Sequence, residues 1–333
     1  MPYFSQIKTG ICFTALCLLV SCSALKPAQL HAVERYTMVT KGITTIPSDI
    51  YFRVYQLRSQ AQSIQLSGVI ASNESESESI EALQLDFTDK FKFLDLVDSF
   101  SYAYRIIANY ADMVHALISE SYLKEFTKNK KGWQSSFDGL VTSYNAACVK
   151  RVPAATKIPP SVGKIVSGII QEIGKVKIKA LQKKYLKAAI TTAHEPFVGI
   201  CDDFLNTDIP KIKRELVGLP SFINENYKDF LNHLKNYESQ QGNNAYNYYK
   251  SYIPIYSNWQ LQLKELNDLV TKLGICILSL RNGYTALETY ISSENVNAES
   301  PAELKKLDQD YVSLLETIAR FSDAREKLFK ISY

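Results

Sequence analysis

Residues 254–292, PIYSNWQLQLKELNDLVTKLGICILSLRNGYTALETYIS, place an apolar side chain at Trp259, Leu263, Leu266, Val270, Leu273, Ile277, Leu280, Tyr284, Leu287 and Ile291. The intervals alternate four and three without a miss. A strand would repeat every second residue, whereas a three-four alternation puts one continuous stripe along a helix and reads as a coiled-coil seam. Pro254 suits a first helical turn, where its missing N–H costs nothing. The pattern predicts a helix from near Pro254 to about Ser292, roughly 60 Å long at 1.5 Å per residue.

A second repeat follows the polar stretch from Ser293 to Glu299. Ser300-Pro301-Ala302-Glu303 is a capping box with proline at the first turn, so a new helix is expected to start there. Leu304, Leu307, Tyr311, Leu314, Ile318, Phe321 and Leu328 continue the spacing, with Arg325 at the one seam position that is not apolar. Two heptad helices joined by a short turn are expected to fold back as an antiparallel hairpin.

Upstream, Asp49 to Val69 reads as a shorter helix. A broad aromatic stripe from Leu83 through Phe100, Tyr104, Ile107, Tyr110, Val114 and Leu117 to Phe126 predicts a long one between Ser79 and Thr127. Trp133 to Val149 is a further helical pattern, Val152 to Pro160 a proline-punctuated connector, and Ser161 to about Phe204 helical again. Pro210 and Pro220 are expected to bracket a loop and a short helix before the amphipathic helix Phe222 to Tyr237. No strand run or hairpin turn pair stands out. The expected fold class is all-α, an elongated multi-helix bundle with long coiled-coil-like antiparallel helices.

The chain has 333 residues, a net charge of +4 and 46% hydrophobic residues, enough for a packed core in one large domain or two smaller ones. Its first 22 residues read as an address. Lys8 precedes an apolar run from Gly10 to Val20, and small residues flank a cut, as a secretory signal requires. The run is too short for a membrane-spanning helix and is broken by Thr14 and Ser21.

Leu19-Val20-Ser21-Cys22 resembles the lipobox of bacterial lipoproteins. The resemblance implies cleavage before Cys22, acylation of that cysteine, and attachment to the bacterial cell envelope without a spanning helix. Ser23 lacks the aspartate that family rules link to inner-membrane retention, so the outer membrane is implied in a Gram-negative cell. On this reading residues 1–21 are the signal peptide, 22–46 an acylated N-terminus and flexible tether, and 47–333 the helical bundle. Removing residues 1–21 takes away Lys8 and no acid, leaving a net charge of +3. It also leaves Cys148, Cys201 and Cys276 besides the acylated residue, in no zinc or redox spacing; a free cysteine inside a helix is expected to be a small core residue.

Charge is unevenly spread. Residues 150–187 carry ten lysines and arginines against the single Glu172. Lys175, Lys179, Lys183 and Lys187 share a helix face, with Lys177 and Lys184 nearby. Such a run reads first as a solvated face paired with neighbouring acids, and second as a contact for anionic lipid or glycan. Nucleic acid is disfavoured because aromatic residues do not interleave with the lysines as stacking platforms would require. The apolar, glycine-spaced segment Ser161 to Gly174 gives a layout similar to that of helical pore-forming toxins of the cytolysin type, which implies an alternative membrane-acting role for residues 161–187. Tyr246, Tyr248, Tyr249, Tyr252 and Tyr256 cluster ahead of the heptad helix and offer flat, hydrogen-bonding surface to a protein or sugar partner, if they are not absorbed by packing.

Catalytic patterns are thin. His31, His115, His194 and His233 form no HExxH or ligand-spaced pair, and there is no GxSxG, SxxK or strand-linked phosphate loop. His194-Glu195 and Cys201-Asp202-Asp203 are the one polar grouping that folding might draw together. The expectation is a lipid-anchored protein acting by binding or scaffolding, with no enzyme activity, cofactor or metal.

Overall fold

The computed structural model describes residues 25–44, 46–71, 101–119, 178–241, 246–293 and 301–329, with scattered positions from 135 to 146. Among them every regular element is helical and no strand occurs, so the fold is all-α. In chain order the helices are α1 (Pro27–Ile43), α2 (Ile46–Ala71), α3 (101–118), α4 (Ile178–Asp203), α5 (Ile209–Gln241), α6 (Tyr246–Ser292) and α7 (Ala302–Phe329), with a π-helical turn at Phe204–Asp208 between α4 and α5. The parts of the expected aromatic stripe before 101 and after 119, most of the expected helix 133–149, and the connector after it lie outside the described residues.

The chain forms two compact units. The first holds α1, α3, α4 as far as Cys201, α6 from Ser279 and α7 as far as Asp308. Its core is the C-terminal part of the α6 seam, where Leu280, Tyr284, Leu287 and Ile291 are all buried. Buried in the same unit are Val33, Tyr36 and Ile43 of α1, Tyr104, Ile107, Tyr110, Val114 and Leu117 of α3, and Leu186, Ile190 and Phe197 of α4, of which Tyr36, Tyr110 and Phe197 pack on Tyr284. Helix α1 runs antiparallel to α6, since Gln29 Nε2 donates to the Tyr290 carbonyl at 3.0 Å and the Tyr36 hydroxyl to the Leu280 carbonyl at 3.2 Å. A Cβ added to Gly283 would meet Leu304 and Leu307 of α7 at 3.4 Å and Tyr36 at 3.5 Å. Helices α1 and α7 therefore both approach α6 at this point, as the fold-back predicted from the heptad pattern requires. An ion pair from Lys41 to Asp112 ties α1 to α3.

The second unit holds α2, the π-turn, α5, α6 up to Leu278 and the remainder of α7. Trp259, Leu263, Leu266, Val270, Leu273 and Ile277 are buried, completing the ten seam positions read from the sequence. Helix α5 supplies a matching stripe, Ile209, Ile212, Leu216, Leu219, Ile223, Phe230 and Leu234, and packs on α2 through Ile50, Val54, Leu57 and Ala61. Arg58 of α2 pairs with Glu215 at 3.5 Å and lies 5.0 Å over the Phe222 ring.

Three features depart from the sequence reading. The expected flexible tether contains α1, held by the buried side chains Gln29, Ala32, Val33, Tyr36, Thr37, Val39, Thr40 and Ile43. The expected loop around Pro210 and Pro220 is helix. Pro210 follows the π-turn, in which the Ile209 N–H reaches back five residues to the Phe204 carbonyl, so the wider winding absorbs the missing proline donor. Pro220 sits inside α5, where burial of Leu216, Leu219 and Ile223 outweighs one lost hydrogen bond. Finally, α6 begins at Tyr246, two turns before Pro254. Its N-terminal end is held by Tyr227 of α5, which packs on Tyr256 at 5.1 Å and edge-on to Trp259 at 6.1 Å.

Leu266→Ala is expected to destabilise the chain by about 2–5 kcal/mol through transfer and cavity costs, whereas Leu261→Ala, at a side chain 40% exposed, should stay within about 0.5 kcal/mol. Urea denaturation of the two variants tests the seam. Cys201 and Cys276 are buried and in no disulfide, and burial, with Asp310 nearby, pushes the Cys276 thiol up to about 12. Both thiols are expected to resist alkylation until the chain unfolds, and mass spectrometry after a timed iodoacetamide pulse measures this.

Candidate functional site

Buried tyrosines organise the first unit. Tyr284 of α6 stacks on Phe197 of α4, with ring centres 4.3 Å apart and planes at 12°. Tyr36 of α1 and Tyr110 of α3 tilt against Tyr284 at 5.8 and 6.0 Å. Their hydroxyls are committed in a definite order. Tyr284 donates to the Ile190 carbonyl at 2.8 Å, so the 2.6 Å contact between the Tyr110 and Tyr284 hydroxyls requires Tyr110 as donor. The Ala189 carbonyl, 3.3 Å from the Tyr110 hydroxyl, takes a weaker share of the same proton. Burial is the main cause raising all three phenols above their ordinary range; Cys201 and Tyr110 add to it at Tyr36, and Tyr110 adds at Tyr284. His194 stacks on Tyr284 from the α4 side, with Nε2 3.2 Å from Thr285 Oγ1 and 3.5 Å from Glu288 Oε2.

Tyr36 also forms one wall of a cleft of ≈ 220 Å³ within the same unit. Helix α1 contributes His31, Ala32 and Arg35 to it, placed on one face by the helical repeat. The first turns of α7 contribute Leu304, Lys305, Leu307 and Asp308. Ala32, Tyr36, Leu304 and Leu307 are buried and make an apolar floor, while His31, Arg35 and Lys305 are exposed at the rim. Arg35 Nε lies 2.6 Å from Asp308 Oδ2. The Tyr36 hydroxyl is spent on Leu280, so this residue shows the cleft its ring.

The residues singled out by sequence fare differently. Cys22, Lys175 and Lys177 lie outside the described residues. Lys179, Lys183 and Lys184 fall in the first turns of α4, and Tyr246, Tyr248, Tyr249 and Tyr252 in the first turns of α6; for these the description extends to the helix and not to their side chains. Lys187 is exposed. Tyr256 is half-buried, donating to Asn224 Oδ1 and packing on Tyr227, so packing absorbs that member of the cluster. His194 is directed to Thr285 and Glu288, while Cys201 is buried near Tyr36; they do not form the joint polar site that their sequence proximity suggested. The cleft was missed because its two walls lie about 270 residues apart in the chain. Its faint signal was the placing of His31 and Arg35 four residues apart, and of Lys305 and Asp308 three apart, each pair beside seam positions.

Among the described residues no group of three or more His, Cys, Asp or Glu side chains is placed to hold a metal ion, and no helix is long and apolar enough to cross a membrane. The chain matches no known protein-family profile, no curated protein and no solved structure.

The buried phenols give a pH test. In the unfolded chain each ionises near pH 10, while in the folded chain burial holds the proton to higher pH. Their contribution to stability is therefore whole below about pH 10 and is lost as pH rises through the folded-state values. The urea midpoint is expected to hold from about pH 7 to 9 and fall above about 10, with phenolate absorbance rising as helical circular dichroism falls. Tyr284→Phe removes one accepted and one donated hydrogen bond and is expected to cost about 1–3 kcal/mol at neutral pH.

Proposed function

We propose that this chain is a lipid-anchored helical protein of the bacterial cell envelope, on the outer membrane where there is one, that acts by binding or scaffolding rather than by catalysis. The observation that carries the reading is Leu19-Val20-Ser21-Cys22, the lipobox-like end of a short apolar run. The position of the first buried residue among the described ones adds to it. Leu25 lies three residues after Cys22 and α1 starts at Pro27, so an acylated Cys22 would hold the folded chain within about 10 Å of the bilayer, given at most 3.3–3.6 Å per residue. The lipid then acts as a short leash and presents a fixed surface to neighbours.

A contact role is also supported by apolar side chains left in solvent. Ile253, directly after the tyrosine cluster, is 60% exposed, and in the same unit Ile275 and Leu278 of α6 and Val312 and Leu315 of α7 are exposed as well. Single exposed apolar residues are ordinary, but several on two helices supply the apolar area that a protein partner would cover.

The test is metabolic labelling with an alkyne fatty acid in a bacterial host, followed by membrane fractionation. The parent chain is expected to take label and pellet with membranes, and Cys22→Ser to lose the label and become soluble. Label retained by Cys22→Ser would sink the proposal. An unlabelled Cys22→Ser that still pellets and is released by salt would favour the membrane-acting role of residues 161–187, with Lys175 to Lys187 as the lipid contact.

A further inference from the structure

We propose that the cleft between α1 and the first turns of α7 is a binding site for an anionic amphiphile, an alkyl phosphate or a fatty carboxylate. The proposal rests on the cleft alone and holds whether or not Cys22 is acylated.

The rim is cationic. Arg35 and Lys305 face the cleft against one acid, Asp308, with His31 beside them. Asp308 engages Arg35 through Nε at 2.6 Å, and Arg35 is otherwise 58% exposed. A guanidinium held at Nε still offers its two terminal amino groups as a planar pair of donors, the geometry that matches two oxygens of a phosphate or carboxylate. Asp308 thus fixes the orientation of the arginine and leaves the recognition edge open, and Lys305 adds a second positive charge.

Below the rim the chemistry changes. Ala32, Leu304, Leu307 and the Tyr36 ring are buried and apolar. The cleft holds ≈ 220 Å³, several times the roughly 30 Å³ share of one water. An inorganic anion would meet the rim and leave the floor wetted, while an alkane would fill the floor and make no use of the Arg35 amino groups. A charged head joined to a short apolar body meets both, the usual division of labour in a ligand site. Gly283 lies beneath the arrangement, where a Cβ would meet Leu304, Leu307 and Tyr36 at 3.4–3.5 Å.

Isothermal titration calorimetry of the full chain in non-ionic detergent, with hexyl phosphate, hexanoate and inorganic phosphate as probes, tests the site. One or both amphiphiles are expected to bind at least about tenfold tighter than inorganic phosphate, and the tighter of the two identifies the head group. Arg35→Gln, at an exposed position that leaves the core intact, is expected to weaken binding about tenfold or more, which is 1.4 kcal/mol. Leu307→Trp, checked for unchanged helical circular dichroism, should abolish binding by filling the cleft, and Lys213→Gln, an exposed lysine on α5, should leave it unchanged. No binding of either amphiphile, equal affinity for inorganic phosphate, or full affinity in Arg35→Gln would overturn the proposal.

Discussion

The α6 seam is the constraint on which both units depend. Ten side chains from Trp259 to Ile291 are buried along one face of one helix, each worth about 1.5–3 kcal/mol when removed from water. A face that long cannot be covered by one short helix, so the chain supplies different partners along it. Near its C-terminal end Gln29 and Tyr36 of α1, Tyr110 of α3 and Phe197 of α4 meet it. Toward the other end Trp259 reaches Gln60 of α2 at 3.4 Å, and a Cβ added to Gly274 would touch Ile209 of α5 at 3.8 Å.

The seam was legible because every position on it is apolar. Helix α1 was not, although its buried positions 29, 33, 36, 40 and 43 follow the same four-three spacing. Two of the five, Gln29 and Thr40, are polar, which breaks the apolar pattern. In the folded chain neither is unsatisfied: Gln29 accepts from the Lys26 N–H at 3.1 Å and donates to Tyr290, and the Thr40 hydroxyl donates to the Tyr36 carbonyl at 2.7 Å. A buried polar side chain with its hydrogen bonds made costs little, so hydropathy alone underestimates such a helix. The prolines misled for the opposite reason. Each removes one donor, a local cost, while the stripe from Ile209 to Leu234 gains from every turn that continues. Tertiary packing decided for the helix, and the π-turn is the place where the backbone yielded.

The candidate site was less legible than the fold. A cleft between helices distant in the chain is made by their packing. Gly283 lies beneath Leu304, Leu307 and Tyr36, and Arg35 pairs with Asp308 across the opening. Neither carries a motif. The clusters that sequence made conspicuous, lysines from 175 to 187 and tyrosines from 246 to 256, are compositional, and composition indicates neither exposure nor partner. Where the structure describes them they divide: Lys187 is exposed, while Tyr256 is engaged with Asn224 and Tyr227.

The cleft and the seam share their supports, which ties ligand binding to the stability of the first unit. Tyr36 is at once a wall of the cleft, a hydrogen-bond donor to Leu280 and a member of the aromatic cluster around Tyr284. A ligand that settles on its ring and on Leu307 therefore presses on side chains already fixed by the core, and meets a surface that needs no rearrangement to receive it. Binding to such a preorganised wall loses little to ordering. By mass action it also stabilises the packing of α1 on α6 and α7, the contact made by the first helix after Cys22.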